Sequence, residues 1–185
     1  LGSWDSFEET SLRFQDPTGI TVDRAGKVYV IDKNNHRIQV FDSVGNFALK
    51  WGSKGSSGGQ LDSPFGLAVG KDGNLYVADT GNNRVQIFDS NGHFLRAWGT
   101  KGNFPGMFDT LNGLAVDGDG KVYVADTNNH RVQVFDSSGQ HLVRWGSKGS
   151  GDGQFLNPKG IAVDQAGIVY VADTGNHRVQ VLDSG

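Results

Sequence analysis

The sequence has no cysteine, one methionine and four prolines in 185 residues. Without cysteine there is no disulfide framework and no thiolate metal site, and nothing marks a redox compartment. No apolar run approaches the roughly 18 residues that a membrane-spanning helix needs. Helical periodicity is missing as well, along with the Ala, Leu, Glu and Lys excess of helical proteins. Charge is nearly balanced: 17 Lys and Arg against 20 Asp and Glu leave a formal −3, which gives no global reason to expect nucleic acid. The first residues lack the charged and apolar regions of a signal peptide. The chain opens at Leu1 without an initiator methionine, as a mature or excised piece of something longer would.

What is plentiful is glycine, 28 residues, alongside many Val, Asp, Ser and Asn. That mixture suits short strands joined by tight turns. One string then recurs: IDKNNHRIQVFDS (31–43), ADTGNNRVQIFDS (78–90), ADTNNHRVQVFDS (125–137) and ADTGNHRVQVLDS (172–184). Its arginines, Arg37, Arg84, Arg131 and Arg178, follow one another at intervals of 47 residues, and Gly19, Gly66, Gly113 and Gly160 keep the same step. So do Trp4, Trp51, Trp98 and Trp145. Four copies without an insertion fill the chain, and a fixed period of this length marks a repeat architecture.

Each copy reads as four strands. In the third these are GLAVD (113–117), KVYVAD (121–126), RVQVFD (131–136) and HLVRWG (141–146), separated by turns rich in Gly, Asp and Ser. The second strand is apolar on both faces, with Val122 and Val124 one way and Tyr123 and Ala125 the other, so both faces must be covered. Small antiparallel sheets repeated radially, each packed between two neighbours, satisfy this. The expected fold is all-β: a propeller of four four-stranded antiparallel blades in one domain, residues 1–185.

The strings NNHRIQVFD, NNHRVQVFD and GNHRVQVLD, preceded by VYVADT and by Pro-x-Gly-Ile-Ala-Val-Asp, resemble the NHL repeat over essentially the whole chain. Departures are local: Asn83 replaces the histidine in the second copy, and Leu111 replaces the proline before the first strand of the third. Trp4 lies 13 residues before Pro17, as Trp51 and Trp145 lie before Pro64 and Pro158, so LGSW reads as a fourth strand that completes the last blade. The resemblance implies a ring of six blades. A closed four-bladed ring, two chains in an eight-bladed ring and an arc of a larger ring all stay open, with some form of closure expected, because an open arc leaves apolar faces in water.

Between the second and third strands each copy carries Asp-x-x-Asn-x-Arg: Asp32/Asn35/Arg37, Asp79/Asn82/Arg84, Asp126/Asn129/Arg131 and Asp173/Asn176/Arg178. A constellation present in every blade is expected to build the turn rather than a site. The Asp is expected to pair with the Arg. The residue two after it (Asn34, Gly81, Asn128, Gly175) is expected to take a positive φ. His36, His130 and His177 invite a zinc reading, but the fourth position is Asn83 and no carboxylate or thiolate completes a set, so they are assigned to seams between blades. DGDG (117–120) lacks the acidic twelfth residue of an EF-hand loop, that position being Asn128. GSKGSSGGQ (52–60) and GSKGSGDGQ (146–154) lack the ending and helix of a phosphate loop. No nucleophile elbow, His-Glu-x-x-His or acid/base carboxylate pair is present, so no catalytic residue, metal or cofactor is assigned.

Function is sought where the copies disagree, on the rim shared by the Asn/His turns and the connections between blades. Near the axis the variable residues are Thr18, Phe65, Asn112 and Lys159. Lys54, Lys101 and Lys148 recur in the connections, where the first copy instead has Phe7, Glu8 and Glu9. NFPGMF (103–108) carries Phe104, Met107 and Phe108 in a connection whose sisters, SSGGQL (56–61) and SGDGQF (150–155), are rich in Gly and Ser. Aromatics and Met on loops favour interfaces, while the competing reading has Phe104 or Phe108 fill the gap under its own loop, as Leu61 and Phe155 are expected to. The expected function is a non-catalytic module holding a protein or peptide partner on its rim, with no membrane partner. The resemblance implies two alternatives, an RNA-binding rim and a propeller enzyme of lyase or lactonase type. A repeat fragment without activity of its own, and a homodimer completing a larger ring, complete the set.

Overall fold

The computed structural model describes residues 12–183. Three four-stranded antiparallel sheets and one of three strands account for the four repeats. The first holds β1 (Pro17–Val22), β2 (Val28–Asp32), β3 (Arg37–Phe41) and β4 (Phe47–Trp51); the second, β5 (Leu67–Val69), β6 (Leu75–Asp79), β7 (Arg84–Phe88) and β8 (Phe94–Trp98). The third holds β9 (Leu111–Val116), β10 (Val122–Asp126), β11 (Arg131–Phe135) and β12 (His141–Trp145); the fourth, β13 (Ile161–Val163), β14 (Val169–Asp173) and β15 (Arg178–Leu182). The first strands β1, β5, β9 and β13 lie side by side, each against the next, and the sheets radiate from them. The expected fourth strand at Trp4, and Phe7, Glu8 and Glu9 of the first connection, lie outside the described residues.

Each strand pattern is explained by a seam. Tyr29, Ile31, Ile38 and Val40 of the first blade pack on Leu67, Leu75, Val77 and Phe88 of the second, with Leu61 from the connecting loop closing the top. The next seam repeats this with Tyr76, Ala78, Val85 and Ile87 against Leu111, Leu114, Val122, Val124 and Phe135, closed by Phe108. The third uses Tyr123, Val132 and Val134 against Val169 and Val171, closed by Phe155. Two outer-strand tryptophans also reach forward: the Trp51 ring lies 5.8 Å from Phe88 and Trp98 lies 5.7 Å from Phe135. This is why the second strands read as apolar on both faces.

At the axis the repeated glycines exist for close approach. A Cβ on Gly19 would sit 2.7 Å from the Phe65 carbonyl oxygen; one on Gly66 or Gly113 would collide with the carbonyl of Asn112 or Lys159. On Gly160 the same Cβ meets only Ala172 Cβ of its own blade, at 3.4 Å. Gly113→Ala is therefore expected to cost about 1–3 kcal/mol by forcing a backbone shift across a seam. Gly160→Ala is expected to change the stability of the dilute chain by less than about 0.5 kcal/mol. Chemical denaturation of both variants checks the difference.

The turns at the opposite rim are built by aspartates that fold back on their own backbone. Asp42 Oδ1 accepts from the Val44 and Asn46 amides, and Asp89 and Asp136 do the same in the next two copies. Hydrogen bonds to the charged form, led by the Asn46, His93 and Ser138 side chains, hold these three carboxyls below the usual range. Tyr29 donates to Asp23 Oδ2 at 3.2 Å, and burial together with that carboxylate pushes its hydroxyl up to about 12.

Candidate functional site

The repeated polar constellation forms one network per blade, and its hydrogen bonds are spent on the fold. In the third blade Arg131 Nε donates to Asp126 Oδ2 at 2.7 Å, Asn129 Nδ2 donates to both Asp126 oxygens at 3.0 Å, and Gln133 Nε2 adds a third donor at 3.0 Å. The Asp109 amide donates to Asp126 Oδ1 at 2.9 Å, which ties the incoming connection to the same carboxylate. Arg37–Asp32, Arg84–Asp79 and Arg178–Asp173 repeat the pair at 2.7–2.8 Å. Asp126 is buried, and burial raises its pKa against the Asp109 amide, Asn129 and Arg131, which act to lower it. For Asp173, in the end blade, burial also raises the pKa, but the Leu156 amide, Asn176 and Arg178 outweigh it and the net shift is downward.

The segment between the second and third strands differs from the simple turn expected of it. Asn35, Asn82 and Asn176 are not residues of an open turn: each ends a three-residue 3-10 helix, Lys33–Asn35, Thr80–Asn82 and Thr174–Asn176. The amide of the residue that follows closes each of them, and His130 N makes the same bond to Thr127 O at 3.2 Å in the third blade. His36 N donates to Lys33 O at 3.0 Å, Asn83 N to Thr80 O at 3.1 Å and His177 N to Thr174 O at 3.3 Å, bonds that span three residues and tighten the backbone. Asn129 lies in a hydrogen-bonded turn in the third blade. The side chains also reach beyond their own segment. Asn35 Nδ2 donates to Asp32 Oδ2 at 2.9 Å and to Arg13 O at 3.2 Å. Asn82 Nδ2 donates to Asp79 Oδ2 at 2.9 Å and to Gly55 O at 2.8 Å. Each asparagine thus fastens the incoming connection to the blade as well as shaping the link between strands.

The positive-φ residue is not the one expected from the sequence. Asn34, Gly81 and Gly175 lie inside those 3-10 helices. The left-handed residues are His36, Asn83, His130 and His177, with φ of 52–54°. His and Asn are among the residues that tolerate this backbone. The glycines at 81 and 175 answer a different demand: their amides donate to Asp62 O and Leu156 O at 2.8 and 2.7 Å, and a Cβ would sit 2.6–2.8 Å from those oxygens.

Two of the three histidines, His36 and His130, bond across to the next connection. The Ser63 amide donates to His36 Nδ1 at 3.0 Å and the Asn157 amide to His130 Nδ1 at 3.1 Å. In the second blade Asn83 Oδ1 accepts from Thr110 N at 2.8 Å. Asparagine replaces histidine there because the position needs a ring-nitrogen-like acceptor, which an amide oxygen supplies. Among the described residues no group of three His, Cys, Asp or Glu is arranged to hold a metal ion.

Seam residues not singled out from the sequence include Gln39, Gln86, Gln133 and Gln180, which share the 47-residue step. Gln86 Nε2 donates to Gln60 O while its Oε1 accepts from the Gly59 amide at 3.0 Å, clamping the connection that enters its blade. Thr80 and Thr127 latch forward, each donating at 2.8 Å to Leu111 O or Pro158 O of the next blade. Their recurrence is the signal available.

The variable positions divide. Thr18 Oγ1 donates to Phe65 O at 3.1 Å, and Phe65 is half-buried in that seam. Asn112 is buried and donates to Thr127 Oγ1 at 2.9 Å. Lys159 stays exposed at the axis. Phe108, offered both as a binding residue and as a filler under its own loop, is fully buried and closes a seam as Leu61 and Phe155 do, so it is not a binding residue. Met107 is half-buried, whereas Phe104 is 68% exposed.

The loop that carries Phe104 is held rigidly. Arg131 donates to Asn103 O, Phe104 O and Met107 O at 2.8, 3.0 and 2.9 Å, and Gln133 donates to Met107 O at 2.7 Å. Beside it opens a cleft of about 370 Å³ lined by Asn103, Asn128, Arg131, Arg144 and Lys148, among others. Asp126 neutralises Arg131, but among the described residues Arg144 and Lys148 have no ion-pair partner. Nearby His141 is held below its usual pKa by burial and by the charges of Arg131 and Arg144. The cleft is cationic and amide-lined, with an aromatic beside it.

A row of antiparallel blades packed face to face about their first strands defines a β-propeller scaffold. The chain belongs to the NHL-repeat family, whose pattern matches residues 14–41, 61–88, 108–135 and 155–182. It is 41% identical to the Protein brain tumor of Drosophila melanogaster over 49 residues, 26% of this chain and 5% of that protein. It is 47% identical to the B-box type zinc finger protein ncl-1 of Caenorhabditis elegans over 38 residues, 20% of this chain and 4% of that one. Among solved structures it superposes on a streptogramin B lyase with a TM-score of 0.72 at 15% identity, covering 91% of this chain and 51% of the lyase. A chain of a nidogen/laminin complex matches with a TM-score of 0.70 at 20% identity, over 93% of this chain and 61% of that one. The matched stretches are small parts of the curated relatives, and at these identities the structural likeness carries the fold alone.

Proposed function

We propose that this chain is a non-catalytic binding module, and that its loop-bearing rim holds an extended protein or peptide segment with an apolar anchor and acidic groups. The observation that carries this is Phe104, a large exposed aromatic on a loop pinned by Arg131 and Gln133. A rigid aromatic loses little entropy on binding and makes an effective anchor. Arg144 and Lys148 in the adjoining cleft supply unpaired positive charge for carboxylates. The blade networks favour a scaffold role, since each repeated Asp, Asn, Arg and Gln is already engaged.

The test is a random peptide display selected on the whole chain, followed by affinity measurement of the selected peptides. They are expected to pair a bulky apolar residue with Asp or Glu. Phe104→Ala is expected to weaken them roughly tenfold, the effect of losing a hot spot worth more than about 1 kcal/mol. Peptides that bind this variant as well as the wild type would refute the assignment. Tight binding of unstructured RNA with a steep salt dependence would replace it with the nucleic-acid reading.

A further inference from the structure

One blade departs from a rule that the other three keep, on the rim opposite the Phe104 loop. In blades one, three and four an aspartate opens the turn between the first two strands. Its Oδ1 caps the turn by accepting from the Lys27, Lys121 or Ile168 amide. Its Oδ2 takes the tyrosine hydroxyl of the second strand, in the pairs Asp23–Tyr29, Asp117–Tyr123 and Asp164–Tyr170, at 2.9–3.2 Å. The second blade has Gly70 in that place. Asp72 takes over the cap there: its Oδ1 accepts from the Asn74 amide at 3.1 Å and its Oδ2 from Asn74 Nδ2 at 2.6 Å. Tyr76 is buried like its sisters, but its hydroxyl lies between Asp72 and Arg96.

Two changes thus fall on one spot. An aspartate side chain is withdrawn at Gly70, and a guanidinium arrives at Arg96, where blades one and three carry Leu49 and Val143. Arg96 crosses the seam to donate to Ser137 O of the third blade. Here a cleft of about 330 Å³ opens between the two blades, lined by Gly70, Lys71, Asp72, Tyr76, Val116 and Asp119 among others. That volume lies at the lower end of small-molecule sites, roughly 300–1,000 Å³. Among the described residues Lys71, Arg96 and Asp119 have no ion-pair partner. Lys71 and Arg96 against Asp72 and Asp119 leave the cleft without net charge, which suits a ligand carrying one charge of each sign. We propose that this cleft binds a small zwitterion, a free α-amino acid. Its carboxylate lies between the Tyr76 hydroxyl and the Arg96 guanidinium, beside the tyrosine that an aspartate engages in the sister blades. Its ammonium faces Asp119 across the seam, in charge-assisted hydrogen bonds at both ends.

The sister blades supply the test. L-Alanine and L-leucine are titrated into the whole chain and followed by backbone amide NMR. Saturable shifts at millimolar concentration are expected at Gly70, Asp72, Gly118 and Gly120, and not in the Phe104 loop. N-Acetylalanine lacks the ammonium and alaninamide the carboxylate, and each is expected to bind at least tenfold more weakly. Gly70→Asp combined with Asp72→Ala rebuilds the Asp-x-Ala-Gly turn of blades one and four. Both positions are changed because a Cβ at 70 would sit 2.6 Å from Asp72 Oδ1. This variant is expected to keep or raise the unfolding temperature while weakening binding at least tenfold. Should it fail to fold, Arg96→Leu, which copies Leu49, removes the guanidinium and is expected to weaken binding by as much. Amino acids that give no saturable shift at these amides would overturn the proposal, as would undiminished binding by a folded variant. Equal shifts from a neutral polyol such as glycerol would overturn it in favour of hydroxyl recognition.

Discussion

Arg131→Ala is expected to lower stability by about 3–5 kcal/mol, the range found when one partner of a buried ion pair is removed. Asp126 would keep its burial and its bonds to Asn129, Gln133 and the Asp109 amide but lose the neutralising charge. The carbonyls of Asn103, Phe104 and Met107 would lose their clamp at the same time. Arg178→Ala is expected to cost clearly less. The Arg178 side chain is more exposed than that of Arg131, and Val179 and Val181 beside it are exposed as well. Water can therefore solvate the Asp173 environment. Equilibrium denaturation of both variants checks the order, and equal losses would count against the burial argument. Peptides that depend on Phe104 are expected to weaken with Arg131→Ala, because the loop that positions the ring is freed.

The second large effect separates two neighbours in one loop. Phe108→Ala is expected to cost about 3–5 kcal/mol, as a buried phenylalanine cut to alanine leaves a cavity. Its ring lies 5.6 Å from Phe135 and sits among Tyr76, Ala78, Val85 and Ile87 of the preceding blade, so the void would open inside a seam. Phe104→Ala, four residues away, is expected to move stability by less than about 0.5 kcal/mol while weakening partner binding. Thermal unfolding read beside peptide affinity distinguishes the two roles. A binding loss in Phe108→Ala without loss of stability would contradict the assignment.

Much of the scaffold is legible because repetition exposes its own constraints. Asp126, Asn129 and Arg131 look like a site when read once. Four copies at one step mark them as a structural device, and the structure gives each oxygen and guanidinium a structural partner. The same reasoning places His36 and His130 at seams. It misses the 3-10 helices that end at Asn35 and Asn82, because asparagine suits an open turn and a tight one alike. It also misplaces the left-handed residue, because glycine at 81 and 175 has two possible causes, backbone angle and close approach. The sequence pattern does not distinguish them; the carbonyls of Asp62 and Leu156 do.

The rim is harder to read. Variation among copies marks Thr18, Phe65, Asn112, Phe104 and Met107, whereas Phe108 keeps the large apolar character of Phe14, Leu61 and Phe155 at the same step, which is the signal that it is core. Thr18 and Asn112 turn out to hydrogen-bond within and between blades, and Phe108 fills a seam. Variation signals only that a position is free of the shared scaffold. It does not tell whether the replacement faces a neighbour or the solvent.

The sequence alone determined the all-β class, the four-blade count, the strand order and the residues that link the second strand of each blade to the third. These are local properties, set by alternation within strands and by a period that every copy repeats. Only the tertiary structure decided which loop side chains are exposed and which glycines hold a carbonyl of the next blade. Those depend on what lies across a seam, and a neighbouring blade sits 47 residues away in the chain but a few ångströms away in space.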